Sequence, residues 1–516
     1  MGDSGLVTVP NASPRLGVGR FATLLGDRPA DEPAYRWLAD QTRVLVCDGR
    51  LLPGTRLPSE RTLSTTLGLS RTTVTRAYAE LAEHGYLVPR QGSGSTLTLP
   101  RRGAPTSVEP LGSGVAVSGV AASGAAGSGA LGAGASDAGV AVLRREEQLG
   151  AASSGTEREV YDLRTAAPAA APGVLAAFQQ AVTELPDYVG TAGYFATGLP
   201  ALKEQIAARY SRRGLPTTPE QVVVTSGALS GVAALFRALL RPGERVVVET
   251  PGYPNSMAAL RRSSAVPVGV ASTHDGLDID VLVDTARRSG ARAALLIPDF
   301  HNPTGALLDD ASRALLCEKA ARHDLLLVAD ETMADIHLES PEPPTPLAAF
   351  GDQVVLVGSA SKSHWGGLRL GWIRCSADLV PAVEAARLSL DLGVAVVEQL
   401  ALTHALRRPT ATAERLATLR AQRDLVAATV DAELPGWSYR LPPGGLSLWC
   451  RLPRPEASAL VREAARHGVA LVPGSVFAVS GGGLEQYLRI PFSLSAPALS
   501  VALERLVAAA DRMDLR

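Results

Sequence analysis

The chain reads as two folded modules, a small α+β helix-turn-helix unit with a hairpin wing, and behind it a large α/β unit built on a mainly parallel sheet. Three observations predict this. Residues 33–99 carry short amphipathic helices closed by a glycine-rich hairpin signal. Beyond Tyr161, β-branched runs alternate with Ala/Leu/Arg-rich helical stretches. Between the two, residues 101–157 hold almost no large apolar side chain.

With 516 residues the chain is too long for one ordinary core. Its 50 basic and 51 acidic residues nearly cancel, so no global field draws it to nucleic acid or membrane, and any DNA binding must be local. Cys47, Cys317, Cys375 and Cys450 are widely spaced with no C-x-x-C pair, which argues against a disulfide framework or a metal site and suits a reducing, cytoplasmic setting. No secretory leader pattern is expected at the start, and residues 1–30 read as a loose arm. The stretch GSGVAVSGVAASGAAGSGALGAGAS marks residues 101–157 as a flexible linker, its recurring Gly and Ser defeating a membrane-span reading. As a coil it would reach on the order of 40 Å.

Residues 31–100 form the first module. Ser59 is placed to cap one helix, in which Leu63 and Leu67 share a face and which Gly68 ends. Ser70 caps a second helix whose inward face is Val74, Tyr78 and Leu81. Arg71, Thr72, Thr73, Thr75 and Arg76 project outward near its start, where a recognition helix meets base edges and phosphates. YLVPRQGSGSTLTL supplies two strands around a glycine turn, a wing carrying Arg90. Read blandly, this is a small helical domain with a solvated arginine face. However, PGTRLPSER followed by LGLSRTTVTRAYAELAEHGYLVPRQGSGS resembles the GntR family of winged-helix proteins along its length. That resemblance implies contacts to double-stranded DNA from Arg61, Arg71, Thr72, Thr73 and the wing around Gly92, with Arg76 and Arg90 beside them. The local charge is only mildly positive, so a homodimer reading two half-sites is expected.

Residues 158–516 form the second module. QVVVTSG, RVVVETP, AALLIPD, LLLVADE and VVLVGSAS read as buried strands, each followed at once by small, polar or proline residues. In an open α/β sheet, ligands sit beyond the carboxyl ends of the strands, so these five loops converge on one site. Among the three lysines, Lys203 and Lys319 lie in charged helical segments, whereas Lys362 follows a strand in SASKSHWGGLRLGW. It is either a plain surface lysine or one held for chemistry.

The spacing S-x-S-K with an arginine seven residues on, in GLRLG, is similar to the lysine motif of fold-type I aminotransferases. By that resemblance Lys362 forms the Schiff base with pyridoxal 5'-phosphate, and Ser359, Arg369, Gly227 and Ala228 hold the phosphate. Tyr253 stacks on the ring, Asn302 meets the ring hydroxyl, Asp330 faces the ring nitrogen, Tyr194 reaches the phosphate of a second subunit, and Arg489 clamps an effector carboxylate. The residue types suit those roles: guanidinium forks and hydroxyls match a dianion, and a carboxylate sustains the ring's electron-sink character. No metal is expected.

Taken together, the two resemblances are those of the MocR/GabR-type regulators. Three residues after the aspartate the aminotransferases place a tyrosine, and here Met333 stands instead; a thioether cannot donate a proton. The expectation is therefore a DNA-binding regulator that senses the cofactor or an amine or amino-acid effector, rather than a catalyst. The alternatives are a working aminotransferase with an appended DNA reader and a scaffold that no longer holds cofactor.

Overall fold

A computed structural model describes residues 16–26, 28, 33–47, 50–51, 54–90, 94–98, 160–273, 276–407, 410–479 and 483–516. The expected linker 101–157 and the wing tip at Gly92 lie outside the described residues.

The N-terminal unit contains α1 (Val18–Leu25), α2 (Ala34–Cys47), α3 (Glu60–Leu67), α4 (Arg71–Glu83) and an antiparallel hairpin of β1 (Leu87–Arg90) and β2 (Gly94–Leu97). The Ser59 hydroxyl accepts from the Thr62 N–H at 3.2 Å and Ser70 from Thr73 at 3.1 Å, so both caps form as read from sequence. Gly68 closes α3 at φ 64°, a backbone conformation that favours glycine. Leu63, Val74, Ala77, Tyr78 and Leu81 fill the core between the helices. One expectation is corrected: residues 1–30 are not simply a loose arm, because Val18–Leu25 is helical and packs against α3. Phe21 and Leu25, four apart, share one face and bury it.

The large unit is built on an eight-stranded sheet. It comprises β4 (Val222–Thr225), β5 (Arg245–Thr250), β6 (Val266–Thr273), β7 (Gly276–Leu277), β8 (Ala293–Leu296), β9 (Leu326–Asp330), β10 (Val354–Ser359) and β11 (Gly371–Arg374). The order across the sheet is β4-β11-β10-β9-β8-β5-β6-β7. From β10 through β6 the pairing is parallel, and two antiparallel steps through β11 return β4 to the common direction. Their Val, Leu and Ala side chains are buried on both faces because helices cover both. β3 (Tyr161–Asp162) pairs in parallel with β13 (Val469–Ala470), and a smaller sheet, β12 (Ser447–Arg451), β14 (Val472–Pro473) and β15 (Tyr487–Pro491), pairs Arg489 of β15 with Trp449 and Val472.

Among the described residues, no helix is long and apolar enough to cross a membrane, and no group of three or more His, Cys, Asp or Glu could hold a metal ion. Cys317, Cys375 and Cys450 are free and buried.

The sheet meets the loop after β4 with no room to spare. A Cβ on Gly371 would lie 2.6 Å from both the Ala228 nitrogen and the Gly227 carbonyl carbon, backbone atoms that no rotamer change can move aside. Gly371→Ala is expected to lower the urea denaturation midpoint by the equivalent of about 2 kcal/mol or more. An unchanged midpoint would refute this packing.

Candidate functional site

A cavity of about 430 Å³ opens where the loops after β4, β5, β8, β9 and β10 converge. Gly227, Ala228, Tyr253, Asn302, Asp330, Ser359, Lys362, Arg369 and Arg489 all line it. Five strands ending on one side of the sheet therefore deliver eight of the ten site residues expected in this unit, and β15 of the smaller sheet brings the ninth, Arg489. Tyr194 is elsewhere: it is 70% exposed and does not line the cavity of its own chain.

Each loop positions its side chain for a local reason. β4 runs through Gly227, at φ 100°, into the helix Ala228–Leu239, so free N–H groups at a positive helix end face the cavity. Arg369 sits after a short turn at φ 49° and donates to the Ser226 carbonyl at 3.4 Å. A Cβ on Gly227 would come 3.0 Å from its Nη2. The Ser359 hydroxyl accepts from the Ser361 N–H at 3.1 Å, which leaves its own proton to donate. Asp330 ends β9 and accepts from the Thr332 N–H at 2.9 Å. Burial raises its pKa, while hydrogen bonds from the Thr332 hydroxyl and N–H oppose the rise.

Lys362 donates to the Ala166 carbonyl at 2.9 Å. Burial, with the Arg489 and Arg369 guanidiniums adding to it, lowers its pKa to about 8. An amine so placed is substantially neutral in mildly alkaline solution, as a nucleophile must be. Arg489 gives one nitrogen to Asn302 Oδ1 at 3.3 Å and another to the Arg164 carbonyl, and its guanidinium lies 4.9 Å over the Phe477 ring. Its Nε is buried and has no partner among the described residues. The Tyr253 hydroxyl accepts from Asn255 at 2.9 Å. Met333 is 4% exposed and packs with Phe300, Ile336 and Leu338 in an apolar cluster that its thioether suits.

Sequence reasoning missed Arg164, Ala166, Asn255, Thr332 and Phe477, all of which line the cavity, Ala166 also accepting from Lys362 through its carbonyl. A backbone acceptor leaves no trace in side-chain identity. Asn255, two residues after Tyr253, could have been found.

The cavity fits a phosphorylated aromatic aldehyde. It offers a glycine cradle that a Cβ would fill, an arginine and a serine donor beside it, a buried amine, a carboxylate opposite, and a buried guanidinium nitrogen with no partner.

In the N-terminal unit, Arg61, Arg71 and Thr72 are exposed at the starts of α3 and α4, and Thr73 is half-buried. The Ser70 hydroxyl bonds those of Thr72 and Thr73 at 2.8 and 2.7 Å. Thr75 donates to Glu60 at 2.6 Å, and the Arg76 guanidinium stacks 3.7 Å over the Tyr35 ring, so these two are engaged within the domain. Arg90 ends β1.

Residues 34–97 match the bacterial regulatory proteins of the gntR family, and residues 162–506 match the aminotransferase class I and II family. The chain is 30% identical over 461 residues to the HTH-type transcriptional regulator TauR of Rhodobacter capsulatus, spanning 88% of this chain and 91% of the relative. This chain is a GntR/MocR-type regulator family member. In such a protein a GntR DNA-binding domain is fused to an aminotransferase-like domain of fold type I, a fold family dependent on pyridoxal phosphate. The large unit of this GntR/MocR-type chain is also 31% identical over 318 residues to arginine–pyruvate transaminase AruH of Pseudomonas aeruginosa, covering 60% of this chain and 80% of that one. It is similar, with 25% identity and a TM-score of 0.63, to the crystal structure of LysN, an α-aminoadipate aminotransferase from Thermus thermophilus complexed with N-(5'-phosphopyridoxyl)-L-leucine. That alignment covers 69% of this chain and 92% of LysN.

The lowered pKa of Lys362 has a direct consequence. The near-400 nm band that follows addition of pyridoxal phosphate is expected to form faster as pH rises through about 8, because the neutral amine fraction grows there. Stopped-flow rates that stay flat between pH 7 and 9 would contradict the assignment.

Proposed function

We propose that this protein is a cytoplasmic transcriptional regulator in which cofactor and effector binding in the large domain alters DNA reading by the small one. The observation that carries this is the coexistence in one chain of a gntR-type domain with a capped helix bearing Arg71 and a cavity lined by nine of the residues expected to meet the cofactor and effector.

Pyridoxal phosphate, when bound, supplies an aldehyde that condenses with amines and a ring that withdraws electrons. Lys362 would hold the aldehyde carbon; Gly227, Ala228, Ser359 and Arg369 would bind the phosphate with backbone N–H, hydroxyl and guanidinium donors. Asp330 would hold a proton on the ring nitrogen, Tyr253 would cover a ring face, and Asn302 would reach the ring hydroxyl. Arg489 would bind the carboxylate of an amino-acid effector, its unpartnered Nε giving it a free donor. An effector that discriminates between two arrangements of the chain then biases DNA binding.

On the DNA side, Arg61, Arg71, Thr72 and Thr73 would contact DNA, with Arg90 and Gly92 on the wing; Arg76 would join them only by leaving Tyr35. The proposed active form is a homodimer reading two half-sites through the 101–157 linker, with Tyr194 completing its partner's phosphate site. The outward-facing Leu175, Val182, Val189, Leu390 and Leu392 support it, since a second copy would cover apolar surface left open in one chain.

A working aminotransferase is the second reading, favoured by the joint presence of Lys362, Asp330 and Arg489 on one cavity. Footprinting with and without pyridoxal phosphate decides between them. The regulator should protect its own promoter with a pattern that changes on adding cofactor, and Lys362→Ala should abolish both the change and the yellow colour. Steady turnover of an amino acid with a 2-oxo acid, with no cofactor effect on DNA, would favour the enzyme. Arg71→Ala should weaken operator binding by roughly 10-fold or more without touching the spectrum.

A further inference from the structure

The guanidinium of Arg489 sits in apolar company. In the smaller sheet Arg489 lies directly opposite Trp449 of β12 and Val472 of β14, so the three side chains stand on one face. The guanidinium lies 4.9 Å over the Phe477 ring, which meets Trp449 edge to face at 5.6 Å. Val472, Val476 and Phe477, from β14 and the turn Gly474–Phe477 that follows it, line the cavity beside Arg489. Its two hydrogen-bond acceptors, Asn302 Oδ1 and the Arg164 carbonyl, carry no charge.

The charged groups of the cavity leave nothing over for a second charge on a ligand held there. Five charged side chains line it: Arg164, Asp330, Lys362, Arg369 and Arg489. Arg164 is already taken by Asp162, which accepts from its Nε at 2.9 Å and its Nη2 at 2.6 Å in a two-point pair. Lys362, Arg369 and Asp330 are the residues assigned above to the cofactor's aldehyde, phosphate and ring nitrogen. Among the described residues, Asp330 is also the one acid that lines the cavity, and it accepts from Thr332. A lysine or arginine side chain would therefore find no carboxylate, and a second carboxylate no unspent cation. Burying either charge unpaired costs far more than burying a methyl group.

We infer that the effector is a neutral amino acid with an apolar side chain, its carboxylate on Arg489 and its side chain against Val472, Val476 and Phe477. This deepens the function proposed above and rests on it. The anchor and the apolar wall are contiguous, so a substituent one carbon away from the carboxylate can rest on that wall. Each methylene buried there adds to affinity.

The test is calorimetric titration of the full chain loaded with pyridoxal phosphate, using amino acids paired by shape. Leucine should bind about 10-fold or more tightly than aspartate, which has nearly the same outline but ends in a carboxylate, and norleucine should exceed lysine by a similar factor. Val476→Lys, at a half-buried position, sets a cation beside Arg489 and should reverse the first pair, aspartate then binding better than leucine. Val476→Ile should keep the wild-type order. If Val476→Lys takes up no cofactor, the wild-type ranking decides alone. An unreversed order in the loaded Val476→Lys protein overturns the placement against Val476. Aspartate or lysine binding the wild type as tightly as its apolar counterpart overturns the apolar class and leaves the effector site standing. A yellow wild type that binds none of the four overturns the amino-acid effector itself.

Discussion

The large domain is organised around an amine placed where it would rather not be charged. Lys362 lines a cavity together with Arg369 and Arg489, and burial together with those two guanidiniums shifts it toward the neutral form. Three basic groups share the cavity with the carboxylate of Asp330, and each is also held by a neutral partner. Backbone carbonyls do much of this work, from Ala166 to Lys362, Ser226 to Arg369 and Arg164 to Arg489. The arrangement therefore depends on where the main chain runs, and hence on the sheet.

The carboxylate side of the cavity is supported differently. Behind Asp330, Glu331 is buried with Arg213 and the Tyr210 hydroxyl, which in turn accepts from Trp372 Nε1 at 2.9 Å. Nearby, Arg313 and Asp299 form a fully buried pair at 2.5 Å. Breaking one partner of such a pair typically costs about 3–5 kcal/mol, since the other is left uncompensated. The Glu331 pair anchors the turn that carries Asp330 to Arg213 at the end of the helix Pro200–Arg212, and it explains why a glutamate next to that aspartate does not enter the cavity; the Arg313 pair anchors the loop after β8 instead.

What the sequence disclosed follows from which signals are local. Five β-branched runs and the small or polar residues after them were readable, because a strand buried on both faces and a loop at its end each leave a continuous mark. β11 was not, because Gly371–Arg374 is four residues long and follows a glycine-rich stretch without a break. The capped helices of the small domain were legible down to Ser59 and Ser70, whereas the seat of Arg76 on Tyr35 joins two helices far apart in sequence.

The helix at Val18–Leu25 bears on how the DNA reader could be prepared alone. Phe21 is fully buried and Leu25 nearly so, and both belong to a helix that packs on α3, the element presenting Arg61. A fragment started at the edge of the family match, near residue 34, would strip this covering and leave an apolar strip on α3. A soluble, native reader has to begin upstream of Val18.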